Sequence, residues 1–117
     1  MKRKIMIADD DAGILDCLST MLEFGGYEVT AVSNGSELLS MEEYPDLLLL
    51  DIWMSGVDGR DICKKLKTQE STRDLPIILV SASKDIEQSA RVAGADDFLS
   101  KPFEMDELFL KIEQHIA

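Results

Sequence analysis

Five short apolar or β-branched runs, separated by longer amphipathic stretches, constrain the fold of this chain more than any other feature. The runs lie at Lys4–Ala8, 27–32, 46–50, 76–80 and 96–99. Strand-length runs that alternate with segments of helical period predict βα units and a parallel sheet. The third and fourth runs are apolar on both faces, which is typical of central strands covered by helices on each side. The sequence therefore predicts a three-layer α/β domain built from five βα units.

Helix-breaking residues fall between these elements. We expect Gly25-Gly26 to end the first helix, Tyr44-Pro45 to end the second and Gly94 to close the fourth. No linker, internal repeat or low-complexity tract interrupts the pattern, and 117 residues are enough to bury one core. The sequence therefore predicts a single domain over residues 1–117.

Composition narrows the classes of function. The formal net charge is -11, which argues against nucleic-acid binding because phosphate contacts require a basic surface. No apolar run approaches the ~20 residues of a membrane span, and no signal-peptide core follows the basic N-terminus. We therefore expect a cytoplasmic protein with no membrane contact. Cys17 and Cys63 lack the spacing of a metal site or disulfide framework and are interpreted as reduced, packed thiols.

Polar side chains follow four of the predicted strands. In open parallel sheets the ligand site lies beyond the carboxyl ends of the strands. Acids follow the first and third runs, a hydroxyl the fourth and an amine the fifth: Asp9, Asp10, Asp11, Asp51, Ser81 and Lys101. Clustered carboxylates repel one another unless a cation offsets their charge. An all-oxygen set of this kind suits Mg²⁺, so the sequence predicts a divalent cation held by acids at this edge.

Asp51 is the candidate nucleophile of this set. A carboxylate can attack phosphorus to form an acyl phosphate. Lys101 and Ser81 would hold the phosphoryl oxygens through a charge and a hydroxyl donor, which is the main work of a phosphoryl-transfer site. The residues alone therefore predict transfer of a phosphoryl group to Asp51 beside a cation held by Asp9 and Asp10.

Other polar residues have simpler interpretations. Asp11 is expected to cap the first helix, since Asp is a favoured N-cap. Asp58 is interpreted as a solvated turn acid and the pair Asp96-Asp97 as solvated surface. His115 lies in the last helical segment, far from every strand end, and is expected to face solvent.

Four segments carry the candidate site residues in a fixed order. They read IMIADDD at 5–11, DLLLLDIWMSGVDG at 46–59, ILVSA at 78–82 and GADDFLSKPF at 94–103. Together they resemble the receiver domain of two-component response regulators over essentially the whole chain. The resemblance implies a flavodoxin-like fold of the chemotaxis-receiver type, with a doubly wound five-stranded parallel sheet in the order 2-1-3-4-5.

The same resemblance implies a phosphodonor and a metal site. Asp51 would be phosphorylated by a sensor histidine kinase or a histidine phosphotransfer protein. Mg²⁺, with Mn²⁺ as the alternative ion, would be bound by Asp10, Asp51, the backbone carbonyl of Trp53 and, often through water, Asp9. The Lys101-Pro102 bond is expected to be cis, because X-Pro bonds alone make that isomer inexpensive.

The resemblance also implies how the signal leaves the site. Ser81 and Phe98 match the hydroxyl and aromatic positions that carry the change to the face formed by the fourth helix, the fifth strand and the fifth helix. A downstream protein would bind that face. The chain is thus expected to be a phosphoacceptor that assists its own phosphorylation and dephosphorylation, not an enzyme. It would be a monomer or a weak, phosphorylation-dependent dimer.

Two positions bear on how long the phosphoryl group would last. In receivers, the positions of Trp53 and Ser83 flank the path of the attacking water, and neither residue is an acid or an amide. The indole would exclude water and the serine is too short to orient it, which implies a long-lived phosphorylated form. Back-transfer or a dedicated phosphatase would then remove the phosphate. Ser55 stands where the family usually has proline, so that turn lacks a fixed φ.

Three other functions remain open from the sequence. A phosphatase of the haloacid dehalogenase type also uses an Asp after an apolar strand with Mg²⁺, but it needs a second Asp where this chain has Trp53. A flavin-binding module would want a Ser/Thr-rich loop where Asp9, Asp10 and Asp11 would repel phosphate. A degenerate receiver used only for protein interaction is the third, although the expected site groups are present.

Overall fold

Strands and helices alternate along the chain in the computed structural model, which describes residues 2–54 and 56–116. In order, the elements are β1 (Lys4–Ala8), α1 (Ala12–Phe24), β2 (Glu28–Val32), a 3-10 helix (Gly35–Ser40), β3 (Leu47–Asp51), β4 (Trp53–Met54), β5 (Val57–Asp58), α2 (Gly59–Thr68), β6 (Ile77–Ser81), α3 (Ile86–Ala93), β7 (Asp97–Ser100) and α4 (Met105–Ile116). No helix within the described residues is both long and apolar enough to cross a membrane.

Five of the strands form one parallel sheet in the order β2-β1-β3-β6-β7. This is the order 2-1-3-4-5 for the five predicted strands, so the flavodoxin-like fold is confirmed. Each predicted strand agrees with the observed one to within one residue at either end. The central strands β3 and β6 are buried at every position, as expected for strands covered on both faces.

The core lies on both faces of the sheet. Leu48 and Leu50 of β3 pack in a cluster with side chains of the 3-10 helix, α2 and α3. Leu47 and Leu49, which point the other way, pack with side chains of α1 and α4. Successive side chains alternate across a strand, and full burial of a leucine contributes about 1.5–3 kcal/mol. The four consecutive leucines of β3 therefore pack against both helical layers.

The second predicted helix differs from the observed element. It is a 3-10 helix that ends at Ser40, well before Tyr44-Pro45. Its buried residues are Gly35 and Leu38, which lie three apart and thus suit a three-residue turn. So few buried residues give a longer α-helix little to pack against, and most helical stability in proteins comes from such packing.

Strands β4 and β5 form a short antiparallel hairpin that the sequence did not predict. Trp53 pairs with Asp58, and Met54 pairs with Val57. Gly56 has φ +69°, a conformation that favours glycine. Two-residue strands are too short to show alternation. The expectation for Ser55 lies outside the described residues.

The start of α1 and the ends of α1 and α3 follow the expected signals. Asp11 Oδ1 accepts hydrogen bonds from the N–H groups of Gly13 (2.9 Å) and Ile14 (3.2 Å), so its predicted capping role is confirmed. Helix α1 ends before Gly25, and α3 ends before Gly94, whose φ is +80°.

The two cysteines lie in different environments, and the prediction that both are packed is wrong for Cys17. Cys63 is buried in α2, and burial raises its pKa to about 11. Cys17 is exposed. It lies two residues after the buried Leu15, which at 3.6 residues per turn places it on the far side of α1.

Candidate functional site

Three acidic side chains meet at the carboxyl end of the sheet. Strands β1 and β3 are neighbours, so Asp9 after β1 and Asp51 at the end of β3 are brought side by side. One carboxylate oxygen from each of Asp9, Asp10 and Asp51 lies within 4.8 Å of the others. With Lys101, these residues form what we call the acidic cluster.

Burial makes the charge of Asp51 costly. Asp51 is only 8% exposed and Asp9 only 4% exposed, whereas Asp10 faces solvent. Burial raises the pKa of Asp51. Lys101 opposes this effect, and the carboxylates of Asp9 and Asp10 add to it. The net rise means that the ionised form of Asp51 gains from any further positive charge.

Lys101 supplies a cation to the cluster. Its Nζ lies 3.2 Å from Asp9 Oδ2 and 3.3 Å from Asp51 Oδ1. Burial lowers the pKa of Lys101, but the two carboxylates outweigh that effect and leave it above the usual value. The amine is thus charged. The Lys101-Pro102 bond is cis, as expected.

Ser81 lies beside these groups at the end of β6. Its neighbour Val80 pairs with Asp51, and its own carbonyl accepts a 2.8 Å hydrogen bond from the N–H of Lys101. The residue is 1% exposed, and its Oγ accepts from the N–H of Ser83 at 3.0 Å. Ser83 Oγ donates in turn to the carboxylate of Asp85. The Ser81 hydroxyl is therefore tied to the backbone of Ser83, and the Ser83 hydroxyl to Asp85, within the turn after β6.

Phe98 lies in β7, on the edge of the sheet. It pairs with Leu79, two residues before Ser81 on the same side of the sheet. The ring is half-buried, and Lys111 Nζ lies 4.8 Å from its centroid. Phe98 therefore belongs to the sheet that carries the site and also contacts α4 through Lys111.

Asp58 is not the solvated turn acid that the sequence suggested. It caps α2, accepting from the N–H of Arg60 at 2.9 Å, and its Oδ2 lies 2.8 Å from Arg60 Nη2. The hydrogen bonds from Arg60 hold the pKa of Asp58 below its usual value. The order Asp58-Gly59-Arg60 at a helix start is an N-cap signal that could have shown this.

Trp53 lies next to that ion pair. Its side chain is 60% exposed, and the Arg60 guanidinium carbon lies 5.1 Å from the ring centroid. This distance is within the range of a cation–π contact. No sequence signal indicated that Arg60 would pack on the indole, because the contact depends on the hairpin between them.

The pair Asp96-Asp97 is not simply solvated surface. Lys67 Nζ lies 2.6 Å from Asp96 Oδ2. Asp97 Oδ1 and Oδ2 contact Lys111 Nζ at 2.7 Å and His115 Nε2 at 3.0 Å. Burial raises the pKa of Asp97, but hydrogen bonds from Lys111 and His115 outweigh it and lower the value overall. We call Asp97, Lys111 and His115 the Asp97 cluster. His115, which was expected to face solvent, thus has Asp97 as a partner.

The donor chemistry of the acidic cluster fits a hard divalent cation. Asp9, Asp10 and Asp51 offer carboxylate oxygens alone, and Mg²⁺ is bound in proteins through one or two carboxylates, waters and phosphate oxygens. Soft metals would require thiolate or imidazole ligands, and neither cysteine nor the histidine belongs to the cluster.

Comparison with known proteins identifies the family. The model of the response regulator receiver domain matches residues 5–113. The chain is 42% identical over 121 aligned positions to the nisin biosynthesis regulatory protein NisR of Lactococcus lactis, covering 99% of this chain and 51% of NisR. The chain spans about half the length of the curated relatives it matches.

Solved structures show the same fold over the whole chain. A putative response regulator from Chloroflexus aurantiacus superposes with a TM-score of 0.93 at 34% identity, covering 100% of this chain and 99% of that one. The receiver domain of sensor histidine kinase PA1611 from Pseudomonas aeruginosa, solved with magnesium coordinated in its active site cleft, has a TM-score of 0.90 at 27% identity and covers 99% and 98%.

Proposed function

The chain belongs to the receiver domain family of response regulators, and from that premise we propose that it is a phosphoacceptor switch whose acceptor is Asp51. The observation that carries this proposal is the buried carboxylate of Asp51 at the end of β3, within 4.8 Å of Asp9 and Asp10 and 3.3 Å from Lys101 Nζ. A carboxylate beside one fixed amine and two further acids is arranged for phosphoryl transfer.

In the proposed reaction a carboxylate oxygen of Asp51 attacks phosphorus, and an O–P bond forms. The bond between phosphorus and its donor breaks at the same centre; for a phosphohistidine donor the electron pair returns to the imidazole nitrogen. Lys101 is positioned to balance negative charge on the phosphoryl oxygens, because its amine already lies between Asp9 and Asp51. The Ser81 hydroxyl is the proposed second donor to these oxygens.

Residues of the acidic cluster are the proposed ligands of Mg²⁺, with Mn²⁺ as the alternative. Asp10, Asp51 and the backbone carbonyl of Trp53 would hold it, with Asp9 acting through water. When bound, the ion would offset the charge of the carboxylates and of the incoming phosphoryl group. The magnesium-bound receiver domain of PA1611 supports this assignment.

The proposed output is a change at the surface formed by α3, β7 and α4. Phosphorylation changes the charge next to Ser81, and Phe98 lies two pairing positions away on the neighbouring strand. A rearrangement of these two side chains would alter that surface and its affinity for a downstream protein. The proposed phosphodonor is a sensor histidine kinase or a histidine phosphotransfer protein.

The test is intact-mass measurement after incubation with acetyl phosphate and Mg²⁺. We expect the parent chain to gain one phosphoryl group that is stable in acid and lost in hydroxylamine. The Asp51→Asn variant should gain none, whereas Asp106→Asn, which changes an exposed acid in the first turn of α4, should behave as the parent does.

Two outcomes would overturn the proposal. A parent chain that takes up no phosphoryl group would favour the degenerate receiver instead. Retention of the mass gain in Asp51→Asn would place the acceptor elsewhere. The haloacid dehalogenase alternative lacks its second acid, because position 53 is tryptophan.

We also propose that the phosphorylated form is long-lived for this family. The indole of Trp53 would keep water from one side of the phosphoryl group. Ser83 is short, and its hydroxyl is bonded to Asp85, so it is poorly placed to orient a water. Replacing Trp53 with Asn should speed phosphate loss from the purified domain, and Ser83→Glu should add to the effect. Unchanged decay in Trp53→Asn would exclude shielding by the indole.

A further inference from the structure

We propose that Arg60 is a positioning residue that holds the Trp53 indole in place and thereby prolongs the life of the aspartyl phosphate. This inference rests on the proposed function of Asp51. It starts from the cation–π contact already described, in which the Arg60 guanidinium carbon lies 5.1 Å from the centroid of the Trp53 ring. An exposed tryptophan without such a contact would sample several rotamers, because little packing restricts its χ angles.

The guanidinium is itself fixed. Asp58 Oδ1 accepts from Arg60 Nε at 3.0 Å, and Asp58 Oδ2 accepts from Nη2 at 2.8 Å. Two parallel N–H···O bonds to one carboxylate set the plane of a guanidinium as well as its distance. The same Asp58 hydrogen bonds hold the pKa of Arg60 above its usual value. The side chain that contacts the indole is therefore a charged, oriented plane.

The backbone joins this arrangement to the phosphoacceptor. Asp58 is the register partner of Trp53 in the β4–β5 hairpin, so the carboxylate that holds Arg60 and the indole are carried by paired strands. The N–H of Gly59 donates to the carbonyl of Ile52 at 2.7 Å. A side chain at Gly59 would collide with the backbone carbonyl of Asp51, so the start of α2 packs directly on the end of β3. Arg60 is thus fixed relative to the residue that would carry the phosphate.

We call Asp58, Arg60 and Trp53 the indole clamp. If the indole excludes water only while it is held in one orientation, loosening the clamp raises the rate of phosphate loss without touching a group that contacts the phosphoryl oxygens. The expected increase for Arg60→Gln is about two- to fivefold, the factor that corresponds to a cation–π contact at an exposed site.

The first measurement is the decay of phosphorylated Asp51 in the purified chain, followed by intact mass after removal of the phosphodonor. Arg60→Gln should decay faster than the parent, and Arg60→Lys should lie between them, because lysine keeps the charge but not the planar fork. Asp58→Asn should also decay faster, since Asn remains a good N-cap for α2 but lacks the charge that orients the guanidinium. Arg91→Gln breaks an ion pair with Glu87 that has no indole nearby, and it should match the parent.

A double-mutant comparison shows whether Arg60 acts through Trp53. In the Trp53→Asn background, Arg60→Gln should have no further effect on the decay. An equal acceleration in both backgrounds would overturn the proposal, because Arg60 would then act on the phosphate or on the fold itself.

A second readout needs no phosphate. The chain contains a single tryptophan, so time-resolved fluorescence anisotropy reports Trp53 alone. Arg60→Gln should show faster local rotation of the indole, with an unfolding midpoint close to the parent. Unchanged rotation would overturn the clamp. A parent that takes up no phosphate would overturn the proposed function, whereas a phosphorylated parent and an Arg60→Gln variant with equal decay would overturn only the role of Arg60.

Discussion

The acidic cluster and the Asp97 cluster use the same kinds of side chain with opposite balance. In the first, one lysine lies between two buried acids with a third acid close by. In the second, one acid contacts a lysine and a histidine. The pKa of Asp51 is raised, chiefly by burial, whereas that of Asp97 is lowered because hydrogen bonds outweigh burial.

The acidic cluster still has excess negative charge and would gain from a cation. In the Asp97 cluster, the negative charge of Asp97 is already offset by neighbouring side chains of the chain itself. The acidic cluster lies at the carboxyl edge of the sheet, where a ligand can approach. The Asp97 cluster lies at the start of β7, at the amino-terminal end of the parallel strands, and connects β7 to α4. Charged clusters are therefore better judged by their balance of partners than by their number of acids.

The largest effect is expected from Asp97→Asn. The amide removes the charge that Lys111 and His115 contact, so the free energy of unfolding should fall by about 2 kcal/mol, as for other hydrogen bonds to charged groups. Urea unfolding at neutral pH measures the change. The exposed control Asp106→Asn should stay close to the parent.

The pH dependence of the same variant sharpens the comparison. The folded-state pKa of Asp97 is lowered, so its stabilisation is present above the unfolded-state value of about 3.9. It is lost as the pH falls through the folded-state pKa. The stability gap between parent and Asp97→Asn should therefore shrink in acid. A stability difference that is independent of pH would show that the charge of the Asp97 carboxylate does not contribute to stability.

A smaller effect is expected from Mg²⁺, and only at the acidic cluster. At about ten times its dissociation constant, the ion should stabilise the parent by about 1.4 kcal/mol. Trp53 fluorescence should follow the same titration. Both responses should vanish in Asp10→Ala and persist in Asp97→Asn. An identical response in Asp10→Ala would place the ion elsewhere.

A change of opposite sign is expected from Asp51→Asn in a chelating buffer. Because burial raises the pKa of Asp51, its charge opposes folding at neutral pH, and the amide should increase stability by about 1 kcal/mol, a typical size for one substitution. Lys101 keeps Asp9 as a partner. Loss of stability in this variant would mean that the contact with Lys101 outweighs burial.

The smallest effect is expected from His115→Gln. Lys111 still contacts Asp97 in this variant, so the loss should be about 0.5 kcal/mol, in the range of a partly exposed pair. Urea unfolding under the same conditions gives the value. A loss as large as that of Asp97→Asn would mean that His115, and not Lys111, is the dominant partner of Asp97.

The sequence predicted the parts of the site that depend on strand ends. Asp9 and Asp51 follow runs whose length and apolar character indicate buried strands, and parallel strands end at the same edge. Their proximity therefore needed only the order of the strands, which the resemblance implied. The structure brings these residues, Asp10 and Lys101 together; their roles in phosphoryl transfer stay predictions.

The sequence did not predict features that depend on short or weakly patterned segments. The β4–β5 hairpin has two residues in each strand, which is below the length at which alternation can be recognised. The second helical segment has too few periodic apolar positions for the sequence to distinguish a short 3-10 helix from a longer α-helix.

The sequence by itself determined which residues form the sheet, because apolar periodicity is a local property that burial enforces everywhere along the chain. Tertiary structure alone decided the partners of Asp97 and the contact of Arg60 with Trp53. Asp97 meets residues 14 and 18 positions away, through the packing of α4 against β7, and Arg60 meets Trp53 across a hairpin. Such contacts depend on how elements are oriented relative to one another, and no local pattern encodes that orientation.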